Sequence, residues 1–181
     1  MNTKTKTLLL LGTIILVFVS GMYWVADSMQ EKKSLIKVDS SSFPSFKFTD
    51  VIKQVFFNSS KLPKKATVVF HFNSTCDLCD KKGAQVSKNK KYFADYNIIW
   101  CSNETKDVVE AFAKKHQLSA VSENSYVLKY EKNQFFEAFG SSAIPGIFIY
   151  TPTNQLSKQL DGEASIKSVI RQLRHASKEG S

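Results

Sequence analysis

The chain has 181 residues, 43% of them hydrophobic and 23% charged, ordinary values for a domain with a packed core that exclude wholesale disorder. Its 25 basic against 16 acidic residues give a formal charge of +9, yet only Arg171 and Arg174 are arginines. No arginines are interleaved with aromatic residues to read bases, so the charge excludes nucleic acid as a partner and describes a solvated lysine surface with a weak pull toward anionic membranes or acidic partners. The 3 cysteines exclude a disulfide scaffold and leave one working pair plus one further thiol.

Residues 1–6 are a short basic tail, with Lys4 and Lys6, expected to be cytoplasmic. Thr7–Ala26 follows without a charge and ends at Asp27. An apolar helix needs about 20 residues to cross a bilayer core. The run is expected to be a transmembrane signal anchor, with Tyr23-Trp24 at the interface. Cleavage is the other reading, at the weak small-residue pattern Val19-Ser20-Gly21. No cysteine precedes Cys76, which excludes lipoprotein processing. Lys32, Lys33 and Lys37 balance the tail, but the short basic N-terminus argues for a single pass through the inner or plasma membrane with the domain outside, in a periplasm or equivalent extracytoplasmic space. Residues 27–42 are a polar, serine-rich tether, 43–176 the folded domain and 177–181 a tail.

Within the domain, Phe43-Pro44-Ser45-Phe46-Lys47-Phe48 alternates around a proline, which suits an edge strand. Lys61–Lys65 is a lysine-proline turn. Ala66–Phe72 is β-branched and aromatic, a buried strand. Asn73-Ser74-Thr75 supplies N-cap chemistry for a helix from Cys76 to Tyr92, with Gly83 as its weak point. Asn97–Cys101 is a second buried strand, with Trp100 in the core. Asn103 caps a helix reaching His116, which, like His175, is expected at the surface. A short strand over Ser125–Tyr130 precedes a helix over Asn133–Phe139 closed by Gly140. Gly146–Tyr150 is a strand, Pro152–Asn154 a turn, Gln155–Leu160 its return strand and Ile166–Ala176 an amphipathic helix. This alternation predicts an α/β domain: a mostly parallel central sheet, helices on both faces, and an antiparallel hairpin at the edge.

The stretch FNSTCDLCDKK, Phe72–Lys82, places Cys76 and Cys79 in a C-x-x-C spacing at a strand-to-helix junction. The first cysteine falls at the helix N-terminus, where unpaired N–H groups and the helix dipole favour a thiolate, the form that attacks a disulfide. The second, one turn on, can attack the mixed disulfide and release product. Two bland readings stand beside this one. The cysteines could be inert buried residues. They could also be zinc ligands, completed by Cys101 and His71, since zinc wants four. Cys101 ends a strand on the same sheet edge and reads either as a small buried residue or as a third redox thiol.

Three pieces together, Phe43-Pro-Ser-Phe46, VVFHFNSTCDLC and AFGSSAIPGIFIYTPTNQL, resemble the membrane-anchored thioredoxin-fold redoxins, the TlpA/ResA-like thiol–disulfide oxidoreductases of the thiol-specific-antioxidant group, over Phe43 to Ala176. The resemblance implies a thioredoxin-like mixed central sheet behind an N-terminal transmembrane helix. It implies Cys76 as nucleophile, Cys79 as resolving thiol, and a cis Pro145 facing the pair, with Ile144 offering backbone hydrogen bonds to substrate. Partners would be protein thiols and disulfides and a membrane or soluble electron donor. No cofactor is expected beyond a redox-active Cys76–Cys79 disulfide, and no metal.

The chain departs from the pattern at two positions. Thr75 stands where the family carries tryptophan, and Phe70 where thioredoxins carry a buried aspartate. His71 and Asp77 are left as the residues that could tune proton transfer. A peroxidase would resemble P-x-x-x-T-x-x-C with a nearby arginine, but here Val69 and Asn73 occupy the proline and threonine positions. A non-catalytic adaptor or metal-binding protein is the remaining alternative, though a copper chaperone would show C-x-x-x-C. A carboxylate at Asp77 disfavours a second negative charge beside it. The pair is therefore expected to work as a reductant, nearer roughly −270 mV than −120 mV, with Lys81 and Lys82 taken as exposed and screened.

Overall fold

The computed structural model describes residues 41–179, together with Phe18 and Ser20, which are helical and exposed. The chain divides into two compact units, residues 1–37 and 38–181. The expected tail, membrane span and most of the tether lie outside the described residues. Among those described, no helix is long and apolar enough to cross a membrane.

The second unit holds β1 (Lys47–Asp50), β2 (Val55–Asn58), β3 (Thr67–His71), α1 (Asp77–Lys88), β4 (Asn97–Ser102), α2 (Lys106–Lys115), β5 (Ser125–Lys129), α3 (Gln134–Phe139), β6 (Gly146–Tyr150), β7 (Leu156–Asp161) and α4 (Ile166–Lys178). The strands form one sheet in the order β2-β1-β5-β4-β3-β6-β7. Only β3 with β4 and β4 with β5 pair in parallel. The other pairings, including β3 with β6, are antiparallel, so the sheet is mixed rather than mostly parallel. Periodicity reports that a strand is buried but not which way its neighbour runs.

Side chains alternate across β3, as a pleated strand requires. Val68, Phe70 and Phe72 join Trp100, Ile147 and Ile149 on one face, under Cys79 and Val86 of α1, Val109 and Phe112 of α2 and Leu173 of α4. Val69 faces the other way, with Ile99, Cys101, Leu128 and Phe148, against Phe135 and Phe139 of α3. Helices therefore cover both faces, as the alternation predicts. The second core is dominated by rings: Phe135 stacks on Phe139 at 4.4 Å, and Phe46 lies 5.4 Å from Phe139.

Several local readings change. Phe43–Phe46 packs against this second face, and the strand begins at Lys47. It lies between β2 and β5, so it is not an edge. The edge on that side is β2, which the sequence reading missed: it is only four residues long and follows a turn that places Gln54 at φ 55. The cap of α1 is Cys76 rather than the Asn73–Thr75 triplet, and that of α2 is Thr105 rather than Asn103. Gly83 is a seat, not a flaw. A Cβ there would come within 2.8 Å of the His116 ring. His116 is correspondingly buried, with Nε2 hydrogen-bonded to Asp80 Oδ1 at 2.9 Å, whereas His175 is exposed beside Glu179.

Candidate active site

The five residues of β3 are all buried, and the chain leaves the sheet after Phe72 to start α1 six residues beyond His71. Asn73 Oδ1 accepts from Thr75 N at 2.9 Å and from Thr75 Oγ1 at 2.6 Å, folding these residues into a turn that presents Cys76. Cys76 is the N-cap of α1, and its Sγ accepts the Cys79 backbone N–H at 3.3 Å. This sulfur occupies the position a capping oxygen normally takes. Cys76 is half-buried, whereas Cys79 is 1% exposed. Both are thiols here. Burial, first, and the hydrogen bond with Cys76 push the Cys79 thiol up to about 12.

The Ile144–Pro145 bond is cis, as the resemblance implies. Gly146 pairs with His71 across β3 and β6, so Pro145 arrives at the sheet end from which α1 departs. Pro145 is buried and Ile144 is 43% exposed. Gly162 backs this proline so closely that a Cβ would lie 2.4 Å from Pro145 Cδ. Two residues on, the Ala164 carbonyl accepts from Lys82 Nζ. Lys82 is therefore buried and ties α1 to the loop behind Pro145, contrary to the exposed position expected of it, while Lys81 is exposed.

Two predicted site residues do not face the thiols. His71 is buried with its ring stacked on Phe135 at 3.9 Å, on the far face of the sheet. Its Nδ1–H donates to the Ala143 carbonyl at 2.7 Å, and the Tyr130 hydroxyl donates to Nε2 at 2.7 Å. Burial, the larger effect, lowers its pKa. It cannot relay a proton to the dithiol, but it holds the residue before Ile144. Cys101 is fully buried in the same far core, and burial raises its thiol well above the ordinary range. As register partners on the parallel strands β3 and β4, both side chains point to the far face, so neither residue joins Cys76 and Cys79 as a third thiol or in a zinc set. Among the described residues no group of three His, Cys, Asp or Glu side chains could hold a metal ion. Asp77 is the exposed first residue of α1.

Sequence reasoning missed Glu104. Its Oε2 accepts from Ser74 N at 2.7 Å, its Oε1 from Ser74 Oγ at 2.6 Å, and Ser102 Oγ donates to Oε2 at 3.2 Å. This carboxylate clamps the turn two residues before Cys76, and its charge adds to the upward shift at Cys79. The stretch Asn103-Glu104-Thr105 reads locally as a helix start. Nothing in it signals a partner 30 residues earlier.

A profile of the AhpC/TSA family matches residues 40–159. The chain belongs to the AhpC/TSA family. No curated protein sequence matches it. Among solved structures this AhpC/TSA-family chain is similar to a secreted Mycobacterium tuberculosis disulfide oxidoreductase homologous to E. coli DsbE, with 12% identity, TM-score 0.62, and coverage of 72% of this chain and 96% of that one. It is similar to a thiol:disulfide interchange protein of Chlorobium tepidum at 21% identity and TM-score 0.60, over 75% and 95% of the two chains. It is also similar to BsSco, a member of the Sco family of cytochrome c oxidase assembly proteins, at 14% identity and TM-score 0.60, over 76% and 94%. At such identities the likeness establishes the fold, which is thioredoxin-like.

Proposed function

We propose that the protein is a membrane-anchored, extracytoplasmic thiol–disulfide oxidoreductase that reduces protein disulfides. The observation that carries this reading is the geometry of the pair: Cys76 caps α1, half-buried, with the Cys79 N–H on its sulfur and Cys79 one turn deeper. In the proposed reaction the Cys76 thiolate attacks one sulfur of a substrate disulfide. A Cys76–substrate disulfide forms and the other substrate sulfur leaves as a thiolate. Cys79 then loses its proton and attacks the Cys76 sulfur. The Cys76–Cys79 disulfide forms, and the second substrate thiol is released. Two electrons pass from the pair to the substrate, and a membrane or soluble dithiol donor must return them. Burial of Cys79 supports this order of events, because a thiol held near 12 does not compete with Cys76 for the first attack.

Exposed Ile144 beside buried Pro145 would offer its backbone to the extended substrate. A peroxidase finds less support: Arg171 and Arg174, the chain's only arginines, line a cleft with Asn89, the C-cap of α1, at the end away from Cys76.

The test is trapping. Cys79→Ser should accumulate mixed disulfides with extracytoplasmic proteins, while Cys76→Ser accumulates none. Traps on Cys76→Ser would reverse the roles. Equilibration of the wild-type chain with glutathione gives the direction. A value at or above roughly −180 mV would make it an oxidase or isomerase instead.

A further inference from the structure

Helix α4 turns one face to the core through Val169, Ile170, Leu173 and Ala176. Its other side carries Lys167, Arg171, Arg174 and Lys178, all exposed, at spacings that keep them on one stripe about 16 Å long. With Asn89 and Tyr92 they line a cleft of about 540 Å³ that no acidic side chain lines. Arg174 lies over the Tyr92 ring at 5.5 Å, and Lys91 over the same ring at 4.9 Å. Lys88 and Lys90 are exposed on the neighbouring turn. The acid nearest in sequence, Glu179, is engaged by His175 at 3.2 Å and by Ser157 Oγ at 2.9 Å.

The position of this cleft carries the argument. Asn89 closes the C-terminal end of α1, so the cleft sits about 20 Å along the helix from Cys76. The chain joins the domain at that same pole. Ser41 O accepts from Leu156 N at 2.7 Å, Phe43 N donates to Asn154 O at 2.7 Å, and Ser42 bridges Gln155. Ser157, next along β7, binds Glu179 at the end of α4. The first described residues of the domain, Ser41 and Ser42, therefore sit at the same pole as the C-terminal end of α4.

We infer that this cleft docks on the anionic phospholipid surface of the membrane that holds the chain, turning the Cys76 pole outward to the aqueous compartment. The inference rests on the anchored reading above. Lysine and arginine near such a surface each contribute attraction that decays within a Debye length, and an exposed tyrosine suits the interface.

The test is hydrogen exchange on the full chain in bilayers of phosphatidylcholine alone and of an equal mixture with phosphatidylglycerol. Amides of residues 88–92 and 167–178 should exchange at least roughly fivefold more slowly in the anionic bilayer, the factor expected of one basic residue at the surface. High salt should remove the difference, and residues 73–80 should be unaffected. Arg171→Glu with Arg174→Glu should abolish the protection, and the corresponding glutamine pair should weaken it. Equal exchange in both bilayers overturns the inference. So does protection produced by polyglutamate and not by phosphatidylglycerol, which would assign the cleft to an acidic protein. Extraction by alkaline carbonate scores the anchor separately: a chain stripped from the bilayer refutes the span, while lipid-dependent protection still decides the cleft.

Discussion

Replacing His71 by phenylalanine tests how the site is held from behind the sheet. The substitution keeps a ring against Phe135 but removes the donor to Ala143 O and the acceptor for the Tyr130 hydroxyl, each at 2.7 Å. Leaving buried polar groups unpaired costs about 1–3 kcal/mol each, so with two of them the variant should be less stable by about 2–6 kcal/mol at pH 7.5. The wild-type advantage should then shrink on acidification. Burial lowers the folded pKa of His71, so the unfolded chain binds this proton first and stability falls as pH drops below about 6.5, toward the folded value, by at most about 1.4 kcal/mol per pH unit. Between pH 7.5 and 5 the gap should narrow by up to about 2 kcal/mol. Urea unfolding of both proteins at these pH values measures it. A gap that is constant with pH would refute the neutral, doubly bonded His71.

Glu104→Ala should destabilise the fold by about 2 kcal/mol, since three donors lose a charged acceptor, and thermal unfolding reads this. Glu104→Gln should let Cys79 titrate at lower pH, as its charge now helps hold that thiol up; the pH profile of Cys79 alkylation in a Cys76→Ser background checks the sign. Gly162→Ala places a Cβ 2.4 Å from Pro145 Cδ and should cost about 1–3 kcal/mol. It should also slow reduction of protein disulfides while leaving alkylation of Cys76 by a small reagent unchanged. Equal loss in both reactions would mean the proline loop does not serve the substrate.

Features that depend on local chemistry were legible in the amino-acid order alone. A buried run ending at Phe72, followed by turn residues and a helix, puts Cys76 at a helix N-terminus whatever the neighbours do. Gly140 ending α3, at φ 66, and the return strand after Pro152 are equally local. The proline before Gly146 was legible through resemblance. Relations across the sheet came instead from the packed fold. Strand alternation puts His71 and Cys101 on the face opposite Cys79, although both stand near it in sequence or at the same sheet edge. Parallel pairing of β3 with β4 brings Glu104 to Ser74. The His116 ring explains Gly83, and Ala164 explains why Lys82 is buried. Each of these depends on a side chain meeting a partner tens of residues away. Local periodicity carries no information about such meetings, because packing, not propensity, selects the partner.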